Sequence, residues 1–487
     1  MKHVHALAAF ALISAPLVRA EVPGLVAIKD AHVVTVSGAD LPKATVVLRN
    51  GLIEDVGTNV TIPPGTWVID GTGLTVYPGF IDALSTWGML GAASPPAGRA
   101  AGTAAQTTPT QTPAPAQAQT QAQTQSTAEA ENAGRPNIHG PEDRPQTYSF
   151  ERAADLITPT DSRLEAARAA GFTSAATFPN RGIVEGLGAM IDLAGERGRD
   201  MVVAQPVGQQ IVFRVGGGGM GRAFPASLMG NIAYIRQLYL DLDQYKQARQ
   251  MYATNPSGNR RPEYDHDLEG LSESPRILLP ADQAQQIDRM ISFGQELKGP
   301  FVLYGLHEAF KRVDQIKRAN VPALISLKWP VPQRDGDPTE IPNYRDLVIR
   351  DQAPAVAAML AKAGVKFAFY SDGVDTAPEL KRALKKAIDS GLSRADAIRA
   401  LTLNVAEIYG VADRMGSLDK GKIANVVVMK GDAFDDKTTV EYIFVDGRMY
   451  QPSKELQQGP ASGGAPGGRR GITPTPGRGD SNEGGLK

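Results

Sequence analysis

Short apolar runs separated by turn signals characterise residues 25–78. The runs at 33–36 and 44–48 are rich in β-branched residues, and the turn signals Asn50-Gly51 and Pro63-Pro64-Gly65 follow them. Strands that pair through tight turns show this pattern. The N-terminal part of the chain is therefore predicted to form a small antiparallel sheet.

Similar apolar runs recur far downstream, at 424–429 and 442–448. The first is rich in valine and the second contains Tyr, Ile, Phe and Val, residue types that favour strands. Because matching strand segments lie at opposite ends of the chain, we predict a composite β-sandwich formed by residues 21–78 and 416–451.

The central region, 150–415, alternates amphipathic helical segments with short apolar runs. This alternation is typical of parallel β/α units. Over this length it favours a (β/α)8 TIM-like barrel above a doubly wound sheet. The predicted α/β barrel covers residues 79–91 and 141–415.

Two segments have the composition of disordered chain. Residues 92–140 consist mainly of Ala, Gln, Thr and Pro, and residues 452–487 are rich in Gly, Pro and Arg. Neither contains enough large apolar residues to offset the entropy lost on ordering. We predict a disordered insert and a disordered tail, and a polyanion contact is the alternative function of the tail.

The N-terminus has the features of a signal peptide. Lys2 precedes an apolar stretch at 6–18, and Val18-Arg19-Ala20 forms a small-residue cleavage site. We expect cleavage after about Ala20 and export to the periplasm or the medium. A buried hydrophobic helix is the alternative. The sequence after residue 20 contains no stretch of about 20 apolar residues, so no membrane span is expected in the mature chain.

The overall composition excludes several classes of function. Lys plus Arg is 51 and Asp plus Glu is 52, which predicts no nucleic-acid partner. The sequence contains no cysteine, so thiol nucleophiles and Cys-bound metals are excluded. Any chemistry must come from carboxylates, hydroxyls, Lys, Tyr or the few His residues.

Several short motifs carry a family resemblance. The first is the run Tyr77-Pro78-Gly79-Phe80-Ile81-Asp82. Three more motifs follow much later, at 401–406, 415–418 and 420–425. Together they resemble the amidohydrolase superfamily, in its imidazolonepropionase-like, secreted branch. The resemblance covers about residues 25–90 and 150–450. It implies the barrel fold and hydrolysis of carbon–nitrogen bonds other than peptide bonds.

The resemblance also implies a metal site of Zn²⁺ or another divalent ion. Its ligands in the family are His-x-His on strand 1, a His after strand 5, a His after strand 6 and an Asp after strand 8. In this sequence those positions are Leu84 and Thr86, Pro280, Tyr304 and Asp372. Only the Asp is kept, so we expect no metal cofactor.

Other polar residues fall near the same strand ends. His307 lies close enough to Tyr304 to be a displaced ligand or, alternatively, a hydrogen-bonded polar residue. Tyr304 and Lys328 are candidates for binding a polar ligand at the barrel mouth. Asp372 is the candidate catalytic residue, with a turn or helix cap as its alternative role.

Three functions remain open at this level. The first is a hydrolase of carbon–nitrogen bonds with an altered or metal-free site around Asp372. The second is a pseudoenzyme that binds a small molecule or supports a partner, as a homo-oligomer or with a related amidohydrolase. The third is a scaffold in which residues 92–140 tether a partner.

Overall fold

The computed structural model describes residues 24–89, 144–213, 225, 227–332, 343–435 and 437–458. The predicted signal peptide, the insert at 92–140 and most of the tail lie outside the described residues.

The strands alternate with helices through the middle of the chain. The strands are β1 (Leu25–Val33), β2 (Leu41–Arg49), β3 (Leu52–Gly57), β4 (Trp67–Asp70), β5 (Thr75–Pro78), β6 (Phe80–Ser85), β7 (Phe172–Thr177), β8 (Val184–Asp192), β9 (Val202–Ile211), β10 (Ile277–Ala281), β11 (Phe301–Gly305), β12 (Ala323–Ser326), β13 (Phe367–Tyr370), β14 (Val426–Lys430), β15 (Thr439–Val445) and β16 (Arg448–Tyr450). The helices are α1 (Ala153–Leu156), α2 (Arg163–Ala169), α3 (Gly198–Met201), α4 (Leu228–Thr254), α5 (His266–Glu273), α6 (Ala284–Glu296), α7 (Val313–Ala319), α8 (Tyr344–Gln352), α9 (Val356–Ala363), α10 (Ala377–Asp389), α11 (Arg394–Leu401), α12 (Leu403–Tyr409) and α13 (Lys454–Gln458).

Strands from both ends of the chain form one sheet. Its order is β16-β15-β14-β5-β1-β2-β3, and β4 pairs with β1. The two ends meet where β14 pairs antiparallel with β5, with Val427 opposite Tyr77. The two termini therefore share a sheet, whereas a two-layer sandwich stays a prediction.

A second sheet forms a nearly closed eight-strand barrel, in the order β13-β12-β11-β10-β9-β8-β7-β6. Most neighbours are parallel, but β8 runs antiparallel to both β7 and β9. Only residues 178–183 connect β7 to β8, and a parallel crossover needs a dozen or more residues. The molecule is thus a mixed α/β barrel, and the prediction of strictly repeated (β/α)8 units is corrected at this hairpin.

Alternating side chains divide the barrel core into an inner and an outer layer. Leu278, Val302 and Leu324 belong to an inner cluster, while Leu279 and Leu303 pack outward against the helices. This period of two is what a strand buried on both faces requires. The interior of the barrel is therefore packed with side chains and sets the positions of the strand ends.

Local sequence signals define several helix ends. The side chains and backbones of Gln283 and Gln286 form a reciprocal capping box at α6. Ser393 accepts a hydrogen bond from the Asp396 amide at the start of α11. Gly391 follows α10 with a φ of +105°, a conformation that glycine adopts without strain. These caps supply partners for backbone groups that the helices leave unpaired.

Near the C-terminus, α13 extends the ordered chain past residue 452. The Gln457 side-chain amide donates to the Val440 carbonyl and accepts from the Val440 amide. The helix is therefore held against β15. Within the described residues, no helix is both long and apolar enough to cross a membrane.

The first and last barrel strands are joined by one buried carboxylate. Asp82 Oδ1 accepts hydrogen bonds from the amides of Ser371, at 3.0 Å, and Leu84, at 3.3 Å. Ser371 immediately follows β13, whereas Asp82 lies in β6. This carboxylate therefore links the two ends of the barrel sheet.

We expect Asp82→Ala to lower the free energy of unfolding by about 2–4 kcal/mol, because two buried amides lose their acceptor. Asp82→Asn keeps the oxygen and should retain most of the stability. Urea unfolding followed by circular dichroism measures both variants. Equal stability of the Ala and Asn variants would show that these hydrogen bonds do not support closure.

Candidate functional site

The residues at the barrel mouth come from four strands. Counted along the barrel sheet, β6, β10, β11 and β13 are the first, fifth, sixth and eighth strands. The carboxyl ends of barrel strands are where polar side chains converge in this architecture. The positions selected from the sequence therefore lie on the strands that the resemblance assigned to them.

At the end of β6, the two selected positions have structural contacts. Leu84 is fully buried within the inner core cluster. Thr86 Oγ1 accepts a hydrogen bond from Arg163 Nη1 at 2.9 Å. Arg163 also donates to the carbonyls of Thr86 and Met89 and forms an ion pair with Asp161 at 2.8 Å. The guanidinium thus clamps this strand end.

Pro280 and Tyr304 lie opposite each other on β10 and β11. Pro280 has no side-chain donor or acceptor. The Tyr304 hydroxyl donates to the Ile211 carbonyl at 2.8 Å, and its ring packs edge-on against Tyr370 with centroids 6.4 Å apart. Tyr304 therefore fills the barrel and connects β11 to β9, whereas Pro280 is half-buried.

His307 forms a buried pair with Asp282, which directly follows β10. His307 Nδ1 lies 2.7 Å from Asp282 Oδ1, and the His307 amide donates to the same oxygen at 3.1 Å. The imidazole packs against Trp329, with ring centroids 6.1 Å apart. These contacts fix the ring orientation and place the proton of a neutral imidazole on Nδ1.

Burial and pairing have opposite effects on the pKa values of His307 and Asp282. Burial lowers the pKa of His307, but the hydrogen bond and charge of Asp282 outweigh it, so the pKa lies above its ordinary value. Burial likewise raises the pKa of Asp282, and His307 outweighs that effect and holds it below its ordinary value. Each partner therefore favours the charged form of the other.

Asp372 lies at the end of β13. Ser326 Oγ donates to Asp372 Oδ2 at 2.7 Å, and the Lys328 amide donates to Ser326 Oγ at 3.1 Å. Burial raises the pKa of Asp372 to about 6, against the opposing hydrogen bond from Ser326 and the charges of Lys328 and His307. A carboxyl group with this pKa can exchange a proton near neutral pH.

Unusual backbone geometry positions both groups. Leu306 has a φ of +69° and Asp372 a φ of +51°, a region that costs energy for residues other than glycine. Leu306 is fully buried, so its neighbours hold this conformation. Strained backbone at Leu306 and Asp372 therefore lies at the barrel mouth, and such strain is common at functional sites.

The structure thus brings together His307, Lys328 and Asp372, and it shows Leu84 and Thr86 in separate packing and clamping roles. Sequence reasoning missed Asp282 and Ser326. Asp282 had a visible signal, because it follows its strand as Asp372 follows β13. Across the described ranges, no three His, Asp or Glu side chains come together in a way that could hold a metal ion.

Comparison with known proteins finds two similarities to amidohydrolases. The model of the Amidohydrolase family matches residues 311–450. The structure of an amidohydrolase from Thermotoga maritima MSB8 shares the fold, with a TM-score of 0.65 and 23% identity over 88% of this chain and all of that chain. The family match thus covers residues 311–450 only, while the similarity in fold extends over most of the chain.

More distant similarities extend to particular enzymes. An adenine deaminase from Moorella thermoacetica is 34% identical over 82 residues, which cover 15% of this chain and 13% of the deaminase. The chain therefore matches only a small part of that relative's length. A phenylurea hydrolase B structure has a TM-score of 0.47 and 16% identity over 91% of this chain and all of that chain.

We expect Asp282→Asn to lower the pKa of His307 below its ordinary value, because burial then acts without the opposing carboxylate. Nitrogen-detected NMR titration of the imidazole measures this change. Asp288→Asn is the matched control, since Asp288 pairs with Arg312 instead.

The same pair sets a pH window for stability. The raised pKa of His307 implies stabilisation that is lost as pH rises through it, and the lowered pKa of Asp282 implies stabilisation that is lost as pH falls through it. The difference in unfolding free energy between wild type and Asp282→Asn should peak between these limits, at roughly 1–3 kcal/mol. An unchanged His307 titration would contradict the pairing.

Proposed function

We propose that this protein is a pseudoenzyme of the amidohydrolase family, which lacks the metal-dependent hydrolysis that the resemblance implies. In this proposal the barrel is retained as a scaffold that binds a small molecule or supports a partner. Export through residues 1–20 belongs to the same proposal, on the strength of the sequence pattern alone.

The observation that carries the proposal is the chemistry of the four replaced positions. Leu84 and Pro280 have no donor atom, Thr86 is engaged by Arg163, and the Tyr304 hydroxyl donates to a backbone carbonyl. Zn²⁺ requires three or four nitrogen, oxygen or sulfur ligands. These positions do not fit a divalent ion, and their side chains contribute to packing.

We expect the purified mature protein to retain less than about 0.1 equivalent of divalent metal after dialysis. Its unfolding temperature should be the same with and without a chelator, since no metal contributes to folding. Elemental analysis and thermal unfolding provide the two measurements. Retention of about one equivalent, together with a loss of stability on chelation, would sink the proposal.

A second candidate function is metal-free hydrolysis of carbon–nitrogen bonds at the same mouth. It is favoured by the cluster of Asp372 and the Asp282–His307 pair, where Leu306 and Asp372 have positive φ values. Asp372 would serve as a general base with a pKa of about 6. A substrate amide would have to reach that carboxylate past the exposed Lys328.

If any amide, urea or cyclic amide is turned over by the metal-free protein, Asp372→Asn should reduce kcat by about two orders of magnitude or more, because the general base is removed. Asp389→Asn is the control, since Asp389 lies on the exposed face of α10 and pairs with Lys385. Turnover that survives in Asp372→Asn would exclude the catalytic role of Asp372.

A further inference from the structure

The long helix α4 carries apolar residues on two opposite faces. Its buried side chains, among them Tyr234, Ile235 and Leu238, pack against the barrel. On the outer side, Met229 is 82% exposed, Leu240 64% and Met251 60%. At 100° per residue, Leu240 lies directly opposite the buried face. This outward stripe, with three large apolar side chains spaced eleven residues apart along a 27-residue helix, is typical of a contact surface.

The stripe is symmetric about its middle. Its outward positions lie at equal distances on either side of Leu240, and all of them are exposed: Met229 and Met251 at eleven residues, Ala233 and Gln247 at seven, and Arg236 and Gln244 at four. These seven positions fall within about 80° of the helix circumference. The chemically matched members are Met229 and Met251, and an antiparallel two-fold pair brings each of them level with the other on the second copy.

Grooves flank the stripe at both ends. Beside Met229, α4 and α6 enclose a cavity of about 620 Å³ that includes Ile232, Met290 and Phe293. Beside Met251, a second groove of about 500 Å³ is lined by polar residues such as Gln247 and Asn259. In an antiparallel pair of α4 helices, Met251 of one copy lies level with the apolar cavity of the other.

The charges along the stripe are compatible with this register. Arg236 forms an ion pair with Glu296 of α6 at the rim of the apolar cavity, at 2.6 Å. Antiparallel pairing about Leu240 brings Asp243 and Lys246 of the second copy level with Gln237 and Tyr234, on either side of Arg236. Asp243 of one copy thus lies level with the Arg236–Glu296 pair of the other, and its attraction to Arg236 favours this register.

We propose that α4 is the contact between two copies of this chain, which pair antiparallel across a two-fold axis at Leu240. The helix is about 40 Å long, and the proposed contact consists of one helix from each copy, at the small end of protein interfaces. The dimer is therefore in equilibrium with the monomer. This inference does not depend on whether the barrel mouth is catalytic.

Cysteine cross-linking tests the geometry directly, because the full chain contains no cysteine. Leu240→Cys should form a disulfide-linked dimer under mild oxidation, since the two-fold axis places the two residues together. Met229→Cys alone should not, whereas a mixture of Met229→Cys and Met251→Cys chains should. Thr58→Cys, at an exposed position in the turn after β3, measures random collision.

Two results of this experiment overturn the proposal. Self-linking of Met229→Cys as efficient as that of Leu240→Cys means that the helices are not antiparallel. Linking of Leu240→Cys no faster than that of Thr58→Cys means that the helices do not meet.

Sedimentation equilibrium tests the association without any cross-link. Over about two orders of magnitude in concentration, the average mass of the wild type should rise from monomer towards dimer. Leu240→Glu should remain monomeric, with an unchanged unfolding temperature because the residue is exposed. A wild type that stays monomeric throughout, or a dimer that survives Leu240→Glu, contradicts the proposal.

Discussion

Closure of the barrel depends on the carboxylate of Asp82. Asp82 lies in the first barrel strand and accepts a hydrogen bond from the amide of Ser371, which follows the last strand. A buried carboxyl group is costly, and burial raises its pKa to about 7. The cost is offset because the same oxygen also satisfies the amide of Leu84. Every residue of the mouth is positioned relative to this seam, since the strand ends from β6 to β13 share one sheet.

The barrel mouth contains two kinds of side chain, those that pack and those that titrate. Leu84 and Tyr304 fill the barrel with side chains that pack or bind the backbone, and half-buried Pro280 has no side-chain donor or acceptor. Asp372 and the Asp282–His307 pair are instead titratable groups, with positive φ values at Leu306 and Asp372. Packing alone does not need such groups, because an apolar core of the same volume is usually at least as stable. This contrast is why a ligand-related role for the mouth remains part of the proposed function.

A second set of hydrogen bonds joins the barrel to the terminal sheet. Asn425, just before β14, donates to Asp192 at the end of β8, at 2.7 Å, and to Ser174 of β7. The side-chain oxygen of Asn425 accepts a hydrogen bond from the Asp446 amide. The terminal sheet therefore supports the wall of the barrel that contains the antiparallel hairpin. The outer surface of α4 is left facing solvent, where the proposed self-association takes place.

The sequence by itself determined the terminal sheet strands, most barrel strands and the replaced positions, because period-two runs, turn residues and short motifs are local signals. Asp372 and His307 could be selected for the same reason. Only the tertiary structure decided that β8 reverses direction, that Asp282 and Ser326 complete the mouth, and that Arg163 clamps Thr86. Those contacts join residues that are distant in sequence or depend on positive φ values, and no local pattern encodes them. The two apolar faces of α4 were equally hidden, since periodicity does not reveal which face the barrel covers.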